Sequence, residues 1–181
     1  SISVLTLARF LRLQGDEAWI FAPAYRGYQE TDPFTIRLPS FKVPKQPDYP
    51  LAIPLSPRAS RALRDHPPDV VHVNSPFTMA RYGARVARKR RVPLVVTYHT
   101  LLREYAHYAP LLGAHIAPFL VRLSRNFCNS AQAVIAPSES IRDELRSYGV
   151  TTPIHVIPTG IPPDKKPSPD FSWVRQKWNL P

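Results

Sequence analysis

Short apolar runs alternate, in the second half of the chain, with segments whose apolar residues recur every three or four positions. The runs are flanked by Pro, Asp or Asn at one or both ends, which is typical of buried strands. They lie at 70–73, 94–97, 133–136 and 154–157. Helical spacing is found at 79–91, 116–127 and 138–146. Strands that alternate with helices in this way predict a parallel α/β sheet with right-handed crossovers and helices on both faces.

The first half of the chain is less regular. Strands are predicted at 18–22 and 34–38. Helices are predicted at 1–14, where Gly15 marks the end, and at 56–64. Between 42 and 57 the prolines are expected to prevent regular structure. From residue 162 the composition is that of a linker, and a further helix is predicted at 171–179.

The bulk composition limits the class of protein. The chain has 181 residues, of which 44% are hydrophobic, enough to bury the core of one domain. No apolar stretch reaches the roughly 18 residues of a membrane-spanning helix, and no signal-peptide pattern opens the sequence. The interpretation is a cytoplasmic protein. The single cysteine, Cys128, lies on the apolar side of a helical segment, so we expect a buried, inert thiol.

A formal net charge of +11 indicates attraction to anionic lipids or nucleic acid. The predicted helix at 79–91 would turn Met79, Gly83, Val86 and Ala87 to the sheet and expose a basic row. That row contains Arg81, Arg85, Arg88 and Lys89. A solvated helix face and contact with lipid headgroups explain it equally well. Nucleic acid ranks third, because no recognisable nucleic-acid module accompanies the charge.

Several cofactor and catalytic motifs are absent. The six glycines form neither a G-x-G-x-x-G nor a phosphate-binding loop, which argues against nicotinamide and ATP-loop chemistry. There is no G-x-S-x-G, H-E-x-x-H or paired-cysteine motif. Glu104 and His107 have a metal-ligand spacing, but no second copy of the pair exists for a two-metal site. We therefore predict no metal and no cofactor.

Polar and aromatic residues follow the apolar run at 94–96. His99 lies just past this strand, and ligands of open parallel sheets bind outside the carboxyl ends of the strands. A hydrogen-bonded loop of purely structural role is the alternative. An apolar and aromatic region follows, which contains Tyr105, Tyr108 and the stripe Ile116, Phe119, Leu120, Leu123 and Phe127. It either packs in the core or meets an acyl chain or the membrane interface.

Four segments occur in the order seen in the retaining glycosyltransferases of family 4, and most of the chain resembles this family. They are 69–77, 93–100, 133–139 and 156–161. Thr-Tyr-His-Thr at 97–100, followed by Glu-Tyr-x-His-Tyr at 104–108, most resembles the branch that transfers glucose or mannose to membrane lipids such as diacylglycerol or phosphatidylinositol.

The resemblance implies the GT-B architecture, in which two Rossmann-like domains face each other across a cleft. Residues 1–161 would form the N-terminal, acceptor-side domain, with its first strand missing. Residues 162–181 would be the interdomain linker and the start of a truncated donor-binding domain. We do not expect such a fragment to catalyse transfer alone.

The resemblance also implies roles for individual residues. His99 matches the active-site histidine beside the transferred sugar and the acceptor, where an imidazole can bind a hydroxyl or move a proton. The expected acceptor-side residues are Tyr98, Thr100, Glu104, Tyr105, His107 and Tyr108. Ser138 and Gly160 match donor-side positions, although for Ser138 a helix N-cap is the preferred explanation.

The expected reaction is the transfer of a hexose from a nucleotide sugar to a lipid acceptor with retention of configuration. The nucleotide sugar is a substrate, and no bound metal takes part. The expected location is cytoplasmic, with peripheral attachment to an anionic surface on the inner face of the cell membrane. The alternative function is that of a non-catalytic basic α/β module that binds anionic lipid or another polyanion. A soluble sugar acceptor is a third option, and nucleic acid is not expected as a partner.

Overall fold

A computed structural model describes residues 2–43, 46–74, 78–99, 113–160 and 172–179. Its helices and strands, in chain order, are α1 (Ile2–Leu13), β1 (Ile20–Pro23), β2 (Thr35–Leu38), β3 (Ser40–Val43), β4 (Gln46–Ala52), α2 (Pro57–Asp65), β5 (Val71–Val73), α3 (Thr78–Arg90), β6 (Leu94–Thr97), α4 (Gly113–Asn129), β7 (Ala133–Ala136), α5 (Glu139–Ser147), β8 (Ile154–Val156) and α6 (Ser172–Trp178).

Strands β5 to β8 form a four-stranded parallel sheet in sequence order. Each successive pair of strands is connected through one of the helices α3, α4 and α5, as the alternation of apolar runs predicts. The prediction of a mixed α/β fold with a parallel sheet flanked by helices is confirmed. The carboxyl ends of these four strands therefore meet at one edge of the sheet.

One face of this sheet packs tightly against α3. Val73, Leu94 and Val96 form a buried cluster with Ala80 and Ala87 of the helix. Side chains alternate along a strand, so the residues between these point to the opposite face. They include His72, Val95, Thr97 and Ile135, which are all only half-buried. The opposite face is thus open enough to present polar groups.

The first half of the chain forms two smaller sheets. Strands β1 and β2 pair in parallel, and β3 and β4 form an antiparallel pair. Helix α3 contacts β1 and β4 as well as β5, so it joins this half to the four-stranded sheet. Within the described residues, β1 pairs only with β2 and β5 pairs only with β6.

The expectation that prolines exclude regular structure between 42 and 57 is wrong. Strand β4 contains Pro47 and Pro50, and β3 extends to Val43. The paired positions of β4 are Gln46, Leu51 and Ala52, with a shift in register between them, and no proline is among these positions. Prolines are tolerated at irregularities and at edges, where no ladder hydrogen bond needs their missing N–H.

The apolar stripe predicted on the helix before β7 packs in the core only in part, and its residue Ile116 has no described side chain. In α4, Phe119 keeps 64% and Leu123 keeps 42% of its surface exposed. The buried row lies one position further along and contains Ser124 and Cys128, with Val121 packed against the same cluster. Ser124 can lie inside because its hydroxyl is hydrogen-bonded there. A polar residue thus occupies a place that an apolar pattern would not assign to the core.

Candidate active site

Three of the predicted site residues, His99, Ser138 and Gly160, lie at the carboxyl edge of the four-stranded sheet, together with Asn74, which was not predicted. Asn74 follows β5, His99 lies two residues past β6, Ser138 follows β7, and Gly160 lies at the end of the segment after β8. Parallel strands place all four positions at the same edge. The sequence-based placement of His99 at this edge is confirmed by the fold.

His99 is held by a neighbouring strand. Its Nε2 atom lies 3.2 Å from Oδ1 of Asn74. The residue as a whole is exposed, but the packing around its ring lowers the pKa below the ordinary value of 6.5 through desolvation of the charged form. His99 is therefore an uncharged imidazole at neutral pH, able to donate one hydrogen bond and accept another.

A second histidine, which the sequence analysis did not single out, lies on the same face. Nε2 of His72 in β5 is 2.6 Å from Oγ1 of Thr97 in β6. Burial lowers the pKa of His72, and the positive charge that His99 would carry lowers it further. The sequence contains a signal for this arrangement, because residues two positions apart share a face of a strand. His72 has this spacing with Asn74, and Thr97 has it with His99.

Tyr98 lies on the opposite face from His99. It is 5% exposed, and its hydroxyl is 2.8 Å from Oγ of Ser124 in α4. Its backbone N–H donates to the carbonyl of Ile135 in β7, which continues the pairing just beyond the end of β6. Tyr98 therefore ties this end of the strand to the helix beneath it, and its acceptor-side role stays a prediction.

Ser138 and Gly160 have ordinary local environments. The Ser138 Oγ accepts a hydrogen bond from the N–H of Ile141 at 3.4 Å and caps α5, as preferred from sequence. Gly160 is exposed, with open space where a side chain would project. Their donor-side roles stay predictions. The other predicted acceptor-side residues, Thr100, Glu104, Tyr105, His107 and Tyr108, lie outside the described residues.

The chain matches a known protein family. The family model described as Glycosyltransferase Family 4 matches residues 1–165. The chain belongs to glycosyltransferase family 4. The resemblance drawn from the four motif segments is thereby confirmed.

Three curated relatives show which members of glycosyltransferase family 4 are similar. A GDP-mannose-dependent alpha-mannosyltransferase of Corynebacterium glutamicum is 31% identical over 84% of this chain and 38% of its own length. An alpha-monoglucosyldiacylglycerol synthase of Streptococcus pneumoniae is 32% identical over 88% of this chain and 36% of its own length. One of Acholeplasma laidlawii is 29% identical over 88% of this chain and 42% of its own length. The chain thus spans about two fifths of the length of these relatives.

The basic row on α3 of this family 4 domain is exposed, as predicted. Gly83 and Ala87 face the core, whereas the solvent side carries Arg81, Arg85, Arg88 and Lys89. In the part of the chain that the structure describes, none of these four cations forms an ion pair. Their charge is therefore available to an anionic surface.

One cavity of the family 4 domain lies away from the predicted site, and its carboxylates have structural partners. The cavity, of about 470 Å³, is lined by residues that include Glu30, Asp32 and Arg37, but by none of the predicted site residues. Both of its carboxylates already form ion pairs, Glu30 with Arg37 and Asp32 with Arg12.

Across the described ranges, no three His, Cys, Asp or Glu side chains are grouped so that they could hold a metal. None of the helices in those ranges is long and apolar enough to cross a membrane.

Proposed function

We propose that the complete protein transfers a hexose from a nucleotide sugar to a lipid acceptor, with retention of configuration, and that this chain contributes the acceptor-side domain over residues 1–161. Two of the relatives above are named alpha-monoglucosyldiacylglycerol synthases and one a GDP-mannose-dependent alpha-mannosyltransferase, and these names support both a nucleotide-sugar donor and a lipid acceptor. Residues 162–181 would lead into a donor-binding domain. The observation that carries the proposal is the position of His99.

His99 has the properties that a residue beside the transferred sugar needs. It lies at the sheet edge where ligands of such folds bind, and its partly exposed ring can reach a substrate. Its lowered pKa keeps the imidazole neutral at physiological pH, so that it can bind a hydroxyl or move a proton. No metal or cofactor is part of this proposal, and the nucleotide sugar is a substrate.

The test is nucleotide release by the complete gene product, assayed with a panel of sugar donors and with or without diacylglycerol vesicles. Release that depends on one donor and on the lipid supports the proposal. His99→Ala should abolish nearly all transfer while nucleotide binding is retained. The matched control is His155→Ala, since His155 is an exposed histidine of β8 with no assigned role. Turnover retained in His99→Ala would remove His99 from the mechanism.

The lipid acceptor is supported by an exposed apolar row on α4. This helix begins after the loop that follows β6, so its first turns lie at the same edge of the sheet as His99. Phe119 and Leu123 are four residues apart, on one side of the helix, and both are exposed. Arg122 and Arg125, both exposed, lie along one side of this row. An apolar row beside cations is suited to acyl chains beneath anionic headgroups.

Attachment to the inner face of the cell membrane is the second part of the proposal. The unpaired cations of α3 would contact anionic lipid, each with a contribution of about 1 kcal/mol near the surface. The test is binding to vesicles of phosphatidylglycerol and phosphatidylcholine. Arg85→Glu/Arg88→Glu should weaken binding, and more so at low salt.

The control for this experiment is Arg9→Glu/Arg26→Glu, which changes the net charge equally at two exposed positions on α1 and on the loop after β1. The double variant on α3 should weaken vesicle binding more than this control does. Equal effects of the two double variants would show that only the overall charge matters. Unchanged binding in the α3 variant would show that the cations of α3 form a solvated helix face and do not contact the lipid.

A further inference from the structure

We propose that Asn74 is a positioning residue for His99: its side-chain carbonyl accepts the Nε2–H of the imidazole, fixes the Nε2–H tautomer, and leaves Nδ1 as the atom that accepts a hydrogen bond from a substrate hydroxyl. This inference rests on the proposed function, because it assigns the chemistry of one atom at the same site. It concerns a residue that the motif resemblance leaves without a role.

The arrangement follows from strand register. Residue 72 of β5 pairs with residue 95 of β6, so the next positions of the two strands run side by side toward the carboxyl edge. Asn74 lies two positions after His72, and His99 lies two positions after Thr97. All four side chains therefore point to the half-open face. The two cross-strand contacts, His72 with Thr97 and Asn74 with His99, confirm this.

The chemistry of the Asn74 contact determines where the proton lies. A side-chain amide oxygen only accepts hydrogen bonds, and a neutral imidazole carries one N–H. Oδ1 lies 3.2 Å from Nε2, and this contact is a hydrogen bond of a neutral His99 when the ring proton is on Nε2. The lone pair is then on Nδ1, where a donor such as a sugar hydroxyl can bind.

The surroundings keep His99 in this neutral form. Burial lowers the pKa of His99. The pKa of His72 beside it is also lowered, mainly by burial and further by a charge on His99. His72 has a partner of its own, because its Nε2 atom lies 2.6 Å from Oγ1 of Thr97. Of the two imidazoles, His99 is the exposed one and therefore the one that can meet a substrate.

The experiment is nitrogen-15 NMR of the complete protein at neutral pH, with nitrogen-15-labelled histidine. Signals of His99 are assigned by their loss in His99→Gln. We expect Nε2 to show the protonated, pyrrole-like signal and Nδ1 the unprotonated one. In Asn74→Ala the two tautomers should mix, and kcat/KM should fall by about fivefold, the effect of one ordinary hydrogen bond.

Asn74→Asp separates positioning from a general loss of structure. The carboxylate is again an acceptor, so the Nε2–H tautomer should be kept, while the new negative charge raises the pKa of His99 and moves the acid limb of the pH–rate profile to higher pH. Asn126→Ala, at an exposed asparagine of α4, is the matched control and should leave the His99 signals unchanged.

Two results would overturn the inference. One is an Nδ1–H tautomer of His99 in the unaltered protein, and the other is an Asn74→Ala variant whose tautomer and pH profile do not change. The NMR measurement of the tautomer does not depend on knowing the donor or the acceptor. If the NMR result is as expected but no sugar donor supports transfer, the proposed function fails while the role of Asn74 in fixing the tautomer stands.

Discussion

The thiol of Cys128 should resist alkylation in the folded protein for two reasons, because the reagent cannot reach it and because it is rarely ionised. The side chain is fully buried, against Val134 and Leu145, in the cluster between the sheet and helices α4 and α5. Burial raises the pKa of the thiol from 9.0 to about 12. At any pH below both values the thiolate, which is the reactive form, is then about a thousandfold rarer than in the unfolded chain.

The assay is iodoacetamide labelling of the complete protein, with the peptide that carries Cys128 followed by mass spectrometry. We expect labelling at least about a thousandfold slower in native buffer than in denaturant, since access is blocked as well as ionisation. Ser60→Cys, at an exposed position of α2, should label at nearly the denatured rate. Native labelling of Cys128 within tenfold of its denatured rate would refute both the burial and the raised pKa.

Three further changes test the packing and the site. Gly83→Ala would place a Cβ 2.6 Å from Cγ2 of the buried, stiff Val73. We expect the free energy of unfolding to fall by about 1–2 kcal/mol, net of the gain in helix propensity. The loss should be smaller in a Val73→Ala background, and denaturant unfolding measures both. Ser138→Ala should lower the melting temperature by removing a cap worth about 1 kcal/mol, and Ser138→Asp should restore it; equal melting of all three proteins would contradict the cap. Transfer that needs neutral His99 should fall on the acid side with a midpoint below 6.5, because burial lowers the pKa of His99, and a midpoint above 6.5 would contradict this.

The parts of the fold that could be predicted from sequence are those in which each element carries its own signal. Strands β5 to β8 are short, apolar and separated by periodic helices, so local patterns suffice to order them. The β3 and β4 pair could not be predicted, because whether a proline such as Pro50 is tolerated depends on which residues of the partner strand lie opposite. The buried row of α4 could not be predicted for a similar reason, because the Ser124 hydroxyl lies in the core beside that of Tyr98, which comes from the sheet.

The candidate site shows the same limit at the level of single atoms. The strand-end argument identifies His99, since a position after a strand is a local property. The partners of His99 are set by register, because a shift of one residue between β5 and β6 would turn Asn74 and His72 to the other face. Alternation likewise separates Tyr98 from His99, although the two are adjacent in sequence. Tyr98, tied to Ser124, anchors the strand end, and Asn74 orients the ring beyond it. A variant that shifts the pairing of β5 with β6 should therefore disturb His99 as much as Asn74→Ala does, without changing any residue that contacts it.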